Sequence, residues 1–581
     1  LDNKAMGPYI LALHAGHNAS AAIGNAGGLL FAVQEERLCR EKNFWGFPRR
    51  AIQACLEHVG AGVDDLATVA YGGRQVFSEY HSREDVVAAY QRQDQVLGRL
   101  RQRLLVPAAL RLMPDYGQKQ LKALLEEAGL GSVPVVHHDH HHAHAATAYY
   151  GLRRNPEERY LVLTCDGDGD GLCASVRIMG GGEDRLLAAT GWDHSLGTLY
   201  SWTTYNLGFV PLEHEYKLMG MAPYAYDKAS RETAKIYHEL LGLDDSGLEL
   251  RKKTRLRTND LGRTLAQRLA GRRFDHVCGG LQLFTEEILT AWAANAVKAS
   301  GCGKILAAGG VFMNVKANQM IAALDSVESF QAFPSCGDET LPLGAFYLQA
   351  AERFEADDLA PLSHFYLGDA PSAEDCEAAL AASGFPHRRP EALADAVAEL
   401  LVAGQPVARC AGPMEFGARA LGNRSILADP SQPDVVRVIN QMIKKRDFWM
   451  PFAPMVMAER QHEYIVNPKE LDSPYMMMTF DTRENFRQLI AAVHNADLTC
   501  RAQILHRDQN PAMHAIVEAF AQRTGRGVVL NTSFNLHGFP IVRTAKDALE
   551  VFANSGLEHL QLGDFLVSKN AVSKNTRSKE G

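Results

Sequence analysis

Residues 137–152, HHDHHHAHAATAYYGL, hold six of the chain's 22 histidines within eight positions. Asp139 is a residue type favoured at a helix N-cap, so a helix is predicted from about His140. His140 and His144 then lie one turn apart on one face, the spacing at which two imidazoles hold one metal ion. His137 and His141 would straddle the cap and suit that role less well. Two histidines are half a site, because a catalytic metal takes a third or fourth ligand and keeps a position open. Carboxylates at loop tips after strands are the candidates: Asp166 in LTCDGDGDG and Asp338 in PSCGDET. Imidazole with carboxylate suits iron(II), manganese or zinc. The plain alternative is a polar loop entering a capped helix. The run DGDGDG has a calcium-loop composition but lacks the ninth and twelfth ligands of such a loop.

Two further groups of residues suit anions. Gly309 and Gly310 in AAGGVFMN stand between a predicted strand and helix, where backbone N–H groups can approach a nucleotide. Many strand-to-helix turns carry two glycines, so the pair is a weak signal alone. Lys217 in EYKLMGMAPY is an anion contact or a plain surface lysine. Near the C-terminus, Arg419 and Arg424 flank the glycine turn of EFGARALGNRSILADP. Lys444, Lys445 and Arg446 follow, then Arg501, then Asn531, Thr532 and Ser533 after a predicted strand. Arginine grips phosphate through a planar fork. These cations sit among glycines and apolar runs, which favours a phosphate-rich pocket over a solvated basic face.

The elements that must position these residues alternate between strand and helix. YILALHAG and AAIGNAGGLLFAVQEERLCR read as three strands with hairpin turns. RRAIQACLEHVG reads as a helix stopped by Gly60, and TVAYGG as a short strand. Residues 85–129 read as a helical insertion with a basic stretch, RLRQRLLVPAALRLM. RYLVLTCDGDGDGLCASVRI is strand, loop, strand, and KILAAGGVFMNVKANQMI is strand, glycine turn, helix. SFQAFPSCGDETLPLGAFYLQAA is strand, loop, helix. From about 355 the chain turns acidic and proline-rich, a predicted linker, followed by a helix from about 373 and a strand at 406–410. No fixed-period repeat is visible.

The 581 residues exceed one hydrophobic core, so two or three domains are expected. The net charge of −8 argues against nucleic acid as main partner. Ten scattered cysteines without a C-x-x-C fit a reduced, cytoplasmic setting. No apolar run of 18 residues suggests a membrane span, and the first residues lack a signal-peptide layout.

In order along the chain, GHNASAA, EERLCREKN, HHHAHAATAYY, DGDGDG, EYKLMGMAPY, GGVFMN, EFGARALGNRSILADP, MPFAP and LNTSFNLHGFPIV carry a resemblance. From about residue 8 to 570 the chain resembles the O-carbamoyltransferase family of nodulation-factor and antibiotic carbamoyltransferases. The resemblance implies an α/β and α+β protein. Residues 7–355 would form a duplicated, actin- and hexokinase-like α/β domain for metal and nucleotide binding and for carbamoyl transfer. Residues 356–372 would be a linker. Residues 373–575 would form an α+β domain like threonylcarbamoyl-adenylate synthase (YrdC-like).

The activity implied uses carbamoyl phosphate and ATP, with Mg, to make carbamoyl-adenylate in the C-terminal domain. The carbamoyl group then passes to a hydroxyl of a small-molecule acceptor in the N-terminal domain, as in antibiotic or other secondary metabolism. Position by position, His140, His144, Asp166 and Asp338 match the metal ligands, with iron(II) implied. His17 matches the histidine that takes the acceptor's proton. Gly309, Gly310 and Asn314 match a nucleotide-contact turn. Lys217 sits in the matching glycine-lysine stretch, with Tyr216 in place of the usual glycine. Arg419, Lys444, Arg501, Asn531 and Ser533 match the carbamoyl phosphate and ATP pocket, with Arg424 or Arg446 to replace an arginine usual where Met450 stands. Phe539 stands where many members have glutamate. The alternative is a metal-dependent hydrolase or small-molecule kinase of the actin-like class, which leaves the C-terminal cations without a task. The acceptor and the oligomeric state, a homodimer included, stay open.

Overall fold

The structure, a computed structural model, describes residues 8–76, 81–95, 116–153, 155–354, 359–444 and 446–569. Lys445 and the basic stretch at 99–113 lie outside the described residues.

Strand β1 (Tyr9–His14) is buried at every position, as a continuous apolar run requires at the middle of a sheet. It pairs antiparallel with β2 (Ser20–Asn25), which pairs antiparallel with β3 (Gly28–Gln34). The chain returns parallel to β1 as β4 (Leu66–Gly72) and then β5 (Val135–His138), giving the order β3-β2-β1-β4-β5. The segment QEERLC, read as strand, ends β3 and turns into a helix at Glu35–Cys39.

A second sheet repeats this plan. Strands β6 (Tyr160–Gly169), β7 (Leu172–Gly180) and β8 (Glu183–Gly191) form an antiparallel meander. Strands β9 (Lys304–Ala308) and β10 (Ser329–Ala332) add in parallel, in the order β8-β7-β6-β9-β10. The sequence shows no periodic repeat, yet the topology is duplicated.

Each half lends its last helix to the other. Helix His140–Leu152 follows β5 but packs on β6, β7 and β9 of the second sheet. Helix Leu341–Arg353 follows β10 but packs on β1, β2 and β4 of the first. Both helices are apolar nearly all round, as a layer between two sheets must be. They cross at Gly344, where a Cβ would lie 1.9 Å from the Ala143 carbonyl oxygen and 2.5 Å from Thr147 Oγ1.

The C-terminal part is one mixed eight-stranded sheet. Its strands are β11 (His387–Arg388), β12 (Val407–Cys410), β13 (Arg424–Ala428), β14 (Ala453–Met457), β15 (Gln503–Leu505), β16 (Val528–Ser533), β17 (His559–Leu562) and β18 (Phe565–Ser568). Their order is β11-β18-β17-β12-β13-β16-β14-β15. Helices Leu393–Val402 and Pro511–Thr524 pack together against it, as do Ala373–Ser383 and Ala545–Ala553.

The stretch read as a linker is no loose tether. Leu359, Phe365, Tyr366 and Leu367 are buried. Its backbone bonds both parts: Ala32 N–H donates to the Leu367 carbonyl at 3.1 Å and Phe416 N–H to the Phe365 carbonyl at 2.9 Å. The apolar side chains between its acidic residues explain the docking. None of the ten cysteines is in a disulfide. Among the described residues no helix is long and apolar enough to cross a membrane.

Candidate active site

In an open sheet with parallel strands, ligands bind beyond the carboxyl ends. Here the carboxyl ends of both parallel sets open on one cavity of about 980 Å³. His14 ends β1, Gly310 follows β9 and Asp338 opens a turn beyond β10. His140 opens the helix after β5, with Asp139 Oδ1 accepting from the His142 N–H at 3.0 Å.

His140, His144, Asp166 and Asp338 each offer one ligand atom, and these atoms all lie within 4.8 Å of one another. His144 Nε2 is 3.2 Å from Asp166 Oδ2 and 3.5 Å from Asp338 Oδ1, and His140 Nε2 is 3.6 Å from Asp338 Oδ1. Asp166 is not at a loop tip as expected. β6 runs on to Gly169, and Asp166 sits at an irregularity in its pairing with β7. The turn itself is only Asp170 and Gly171. Asp170 accepts from the N–H groups of Arg74 and His140, both at 2.9 Å, and so pins the histidine helix to the first sheet. Gly169 is required by close approach, since a Cβ there would meet the His140 ring at 2.2 Å.

The electrostatics call for a cation. Burial would lower His144, but hydrogen bonds to Asp166 and Asp338 outweigh it and raise the imidazole to about 9. Burial and the charge of Asp166 push Asp338 up to about 6. Asp166, despite burial, is held below the ordinary carboxylate range by His144. A proton therefore sits where a divalent ion would replace it. His140 and His144 each turn a buried Nε2 toward carboxylate oxygens at 3.2 to 3.6 Å, so these four residues fit a metal. The other four histidines of the run are engaged elsewhere or face away, as with His142 on Asp184 at 2.8 Å and His141 on Thr164 at 2.9 Å.

His17 lines the same cavity, in a two-residue bridge that pairs it with Trp45. Burial lowers its pKa below 6.5, against Asp166, Glu213 and Glu36, which raise it. The imidazole is thus neutral near pH 7. The Leu212 carbonyl hydrogen-bonds the ring. Leu212 has a φ of 64° and donates its N–H to Glu215 Oε1 at 2.7 Å.

The glycine turn stands at the cavity, whose wall includes Gly310 and Asn314. The Gly310 N–H donates to Asp166 Oδ2 at 3.1 Å, while Gly309 packs under the Cys165 carbonyl. Asn314 caps the next helix and pairs with Gln282 at 2.9 Å. Lys217 lines the cavity but is paired with Asp447 at 3.0 Å and lies over Phe209.

Arg419, Lys444, Arg446, Arg501 and Ser533 line the same cavity. Burial, then neighbouring positive charge, lowers Arg419 (to about 10), Lys444 and Arg501, and burial lowers Arg446 against Tyr216 and Asp447, which raise it. Arg419 and Arg501 have no carboxylate within salt-bridge distance among the described residues, and their buried Nε atoms lack partners. A polyanion would supply the missing charge. Lys444 Nζ donates to Ser533 Oγ at 3.0 Å and to Asn535 Oδ1 at 2.6 Å.

Two predicted residues stand elsewhere. Arg424 is fully buried, and its guanidinium bonds the carbonyls of Arg543, Gly412, Asn423 and Asp369, so it braces loops and does not replace the arginine absent at Met450. Asn531 donates to Ala420 and Gln503, off the cavity wall. Arg446 does line the cavity beside Met450, and Phe539 lines it too. Sequence reasoning missed His14 and Asn535, which look like an ordinary strand end and loop residue.

Residues 9–346 match the family model for the carbamoyltransferase N-terminus, and residues 398–569 that for the carbamoyltransferase C-terminus. The chain is 31% identical over 578 residues to nodulation protein NolNO of Sinorhizobium fredii, covering 97% of this chain and 80% of that protein. It is 32% identical over 170 residues to a 3'-hydroxymethylcephem-O-carbamoyltransferase of Amycolatopsis lactamdurans, 29% of this chain and 32% of that enzyme. Among solved structures, full-length HypF in its phosphate- and nucleotide-bound form is similar with a TM-score of 0.32 and 12% identity, over 60% of this chain and 56% of that one. With both family models matched in order and one relative aligned over 97% of this chain, the chain belongs to the carbamoyltransferase family and is an enzyme that transfers carbamoyl groups.

Proposed function

We propose that the protein is an ATP-dependent O-carbamoyltransferase whose acceptor is the hydroxyl of a small molecule. The observation that carries this reading is the single cavity lined both by His17 and the His/Asp cluster and by the cations Arg419, Lys444, Arg446 and Arg501. In this reading the duplicated sheets are an actin- and hexokinase-like domain, and the eight-stranded sheet is a YrdC-like domain. The enzyme works in the cytoplasm.

Arg419, Arg446, Arg501 and Lys444 bind carbamoyl phosphate and the triphosphate of Mg–ATP. Mass balance requires one water: carbamoyl phosphate, ATP and water give carbamoyl-adenylate, phosphate and pyrophosphate. The acceptor oxygen then attacks the carbamoyl carbon, AMP leaves, and His17 takes the hydroxyl proton. His140, His144, Asp166 and Asp338 would hold a divalent metal, iron(II) by preference with manganese or zinc as alternatives, whose charge would stabilise the leaving adenylate or polarise the carbonyl. Enclosure within the cavity would keep the adenylate from bulk water.

Pyrophosphate release from ATP is expected only when carbamoyl phosphate is present, and without need of acceptor. No pyrophosphate in either condition would sink the reading.

A further inference from the structure

We propose that His14 is a fifth residue of the metal centre, its Nε2 belonging to the donor set of His140, His144, Asp166 and Asp338. The inference rests on the metal reading above. His14 ends β1, in the first sheet, whereas Asp166 and Asp338 come from the second. It lines the same cavity.

The tautomer follows from its partner. His14 Nδ1 lies 3.3 Å from the Gly72 carbonyl oxygen, and a carbonyl only accepts, so Nδ1 carries the hydrogen. Nε2 therefore presents a lone pair. That atom is buried with no hydrogen-bond partner, and it faces Asp338 Oδ2 at 4.0 Å. Two acceptors opposed in a buried site need a cation or a proton donor between them.

The spacing fits a shared ion. Donors about 2.0 to 2.2 Å from one ion lie roughly 3 to 4 Å from each other. The contacts from Asp338 Oδ1 to His140 and His144, 3.6 and 3.5 Å, fall in that range. His14 stands 4.0 Å from the opposite oxygen, Oδ2, at the edge of the four donors that lie within 4.8 Å of one another, and a bound ion would draw its ring inward. Asp338 thus faces the helix histidines with one oxygen and His14 with the other. The ring is held in place by Gly72 and by Tyr71 stacked beside it at 6.3 Å.

The test is metal affinity in the full-length, metal-stripped protein, by competition for Zn(II) against a chromophoric chelator. His14→Phe is expected to weaken Zn(II) binding about 10- to 100-fold, and His140→Ala to abolish it. Pulsed EPR on the unmutated protein loaded with Mn(II) is expected to show three coupled histidine nitrogens. This second measurement holds even if His14→Phe fails to fold. If His140→Ala abolishes binding while His14→Phe binds as wild type and only two nitrogens couple, His14 is overturned and the four-residue site stands. If the unmutated protein takes up no Zn(II) or Mn(II), both fall together.

Discussion

At the residue scale, the proposed reaction assigns the cations and His17 of the one cavity to different half-reactions. Arg501 is buried beside Arg419 and Arg446, with no carboxylate within salt-bridge distance among the described residues. Arg501→Ala is expected to lower pyrophosphate release by about 100-fold or more, the scale for removing a buried charged contact to a reacting phosphate. His17→Ala is expected to leave pyrophosphate release in place and to slow carbamoylation of the acceptor by roughly 10² to 10⁴. Normal acceptor carbamoylation by His17→Ala would remove the base assignment. Gly169→Ala probes the metal centre without touching a ligand. Its Cβ would overlap the His140 ring, so the imidazole must move, and Zn(II) affinity is expected to fall while the helix survives. Unchanged affinity would show that His140 is not a ligand.

At the scale of elements, the exchanged helices hold the site together. Helix His140–Leu152 carries two residues of the His/Asp cluster from the first half onto the second sheet. Its crossing with Leu341–Arg353 depends on Gly344. Gly344→Ala is expected to cost about 3 kcal/mol, the upper end of core overpacking, because the obstacle is backbone and cannot rotate away. A lowered melting temperature with weakened Zn(II) binding is the expected pair of results; an unchanged melting temperature would contradict the tight crossing. Much of this element scale was legible in the sequence. The N-cap at Asp139, the stop at Gly60 and the strand-turn-helix of residues 304–323 follow from local rules. The path of β6 past Asp166 was not legible, because DGDGDG has turn composition, while pairing with β7 is a tertiary effect.

At the scale of the molecule, the two parts are bolted together around the cavity. Trp449 Nε1 donates to the Lys217 carbonyl at 3.1 Å, His494 Nε2 to the Gly220 carbonyl at 2.8 Å, and Arg37 Nη2 to the Gly417 carbonyl at 2.5 Å. Lys316 pairs with Asp497 across the same seam. Burial would raise Asp497, but His494 and Lys316 outweigh it and hold it well below the usual carboxylate range. A depressed folded pKa gives stability that is full above the unfolded value, about 4, and lost as pH falls from there toward the folded value. The melting temperature is therefore expected to drop below about pH 4, and less steeply in Asp497→Asn than in the parent. Identical acid limbs would show that this pair contributes nothing.

The sequence by itself determined which residues carry chemistry. The i, i+4 histidines, the two isolated aspartates and the buried cations are marked by type and spacing, and local rules set most of the helices around them. Tertiary structure decided which of these residues share a space. Arg424 and Asn531 have the same types as the cavity residues, yet backbone carbonyls and Gln503 claim their polar groups. Lys217 reads as an anion contact and is paired with Asp447, 230 positions away in the chain. His14 reads as the end of an apolar strand and faces Asp338 across the cavity. Hydrogen-bond and charge partners are set by which chain segments meet. That depends on how two sheets and their exchanged helices pack, and no local window of sequence contains it.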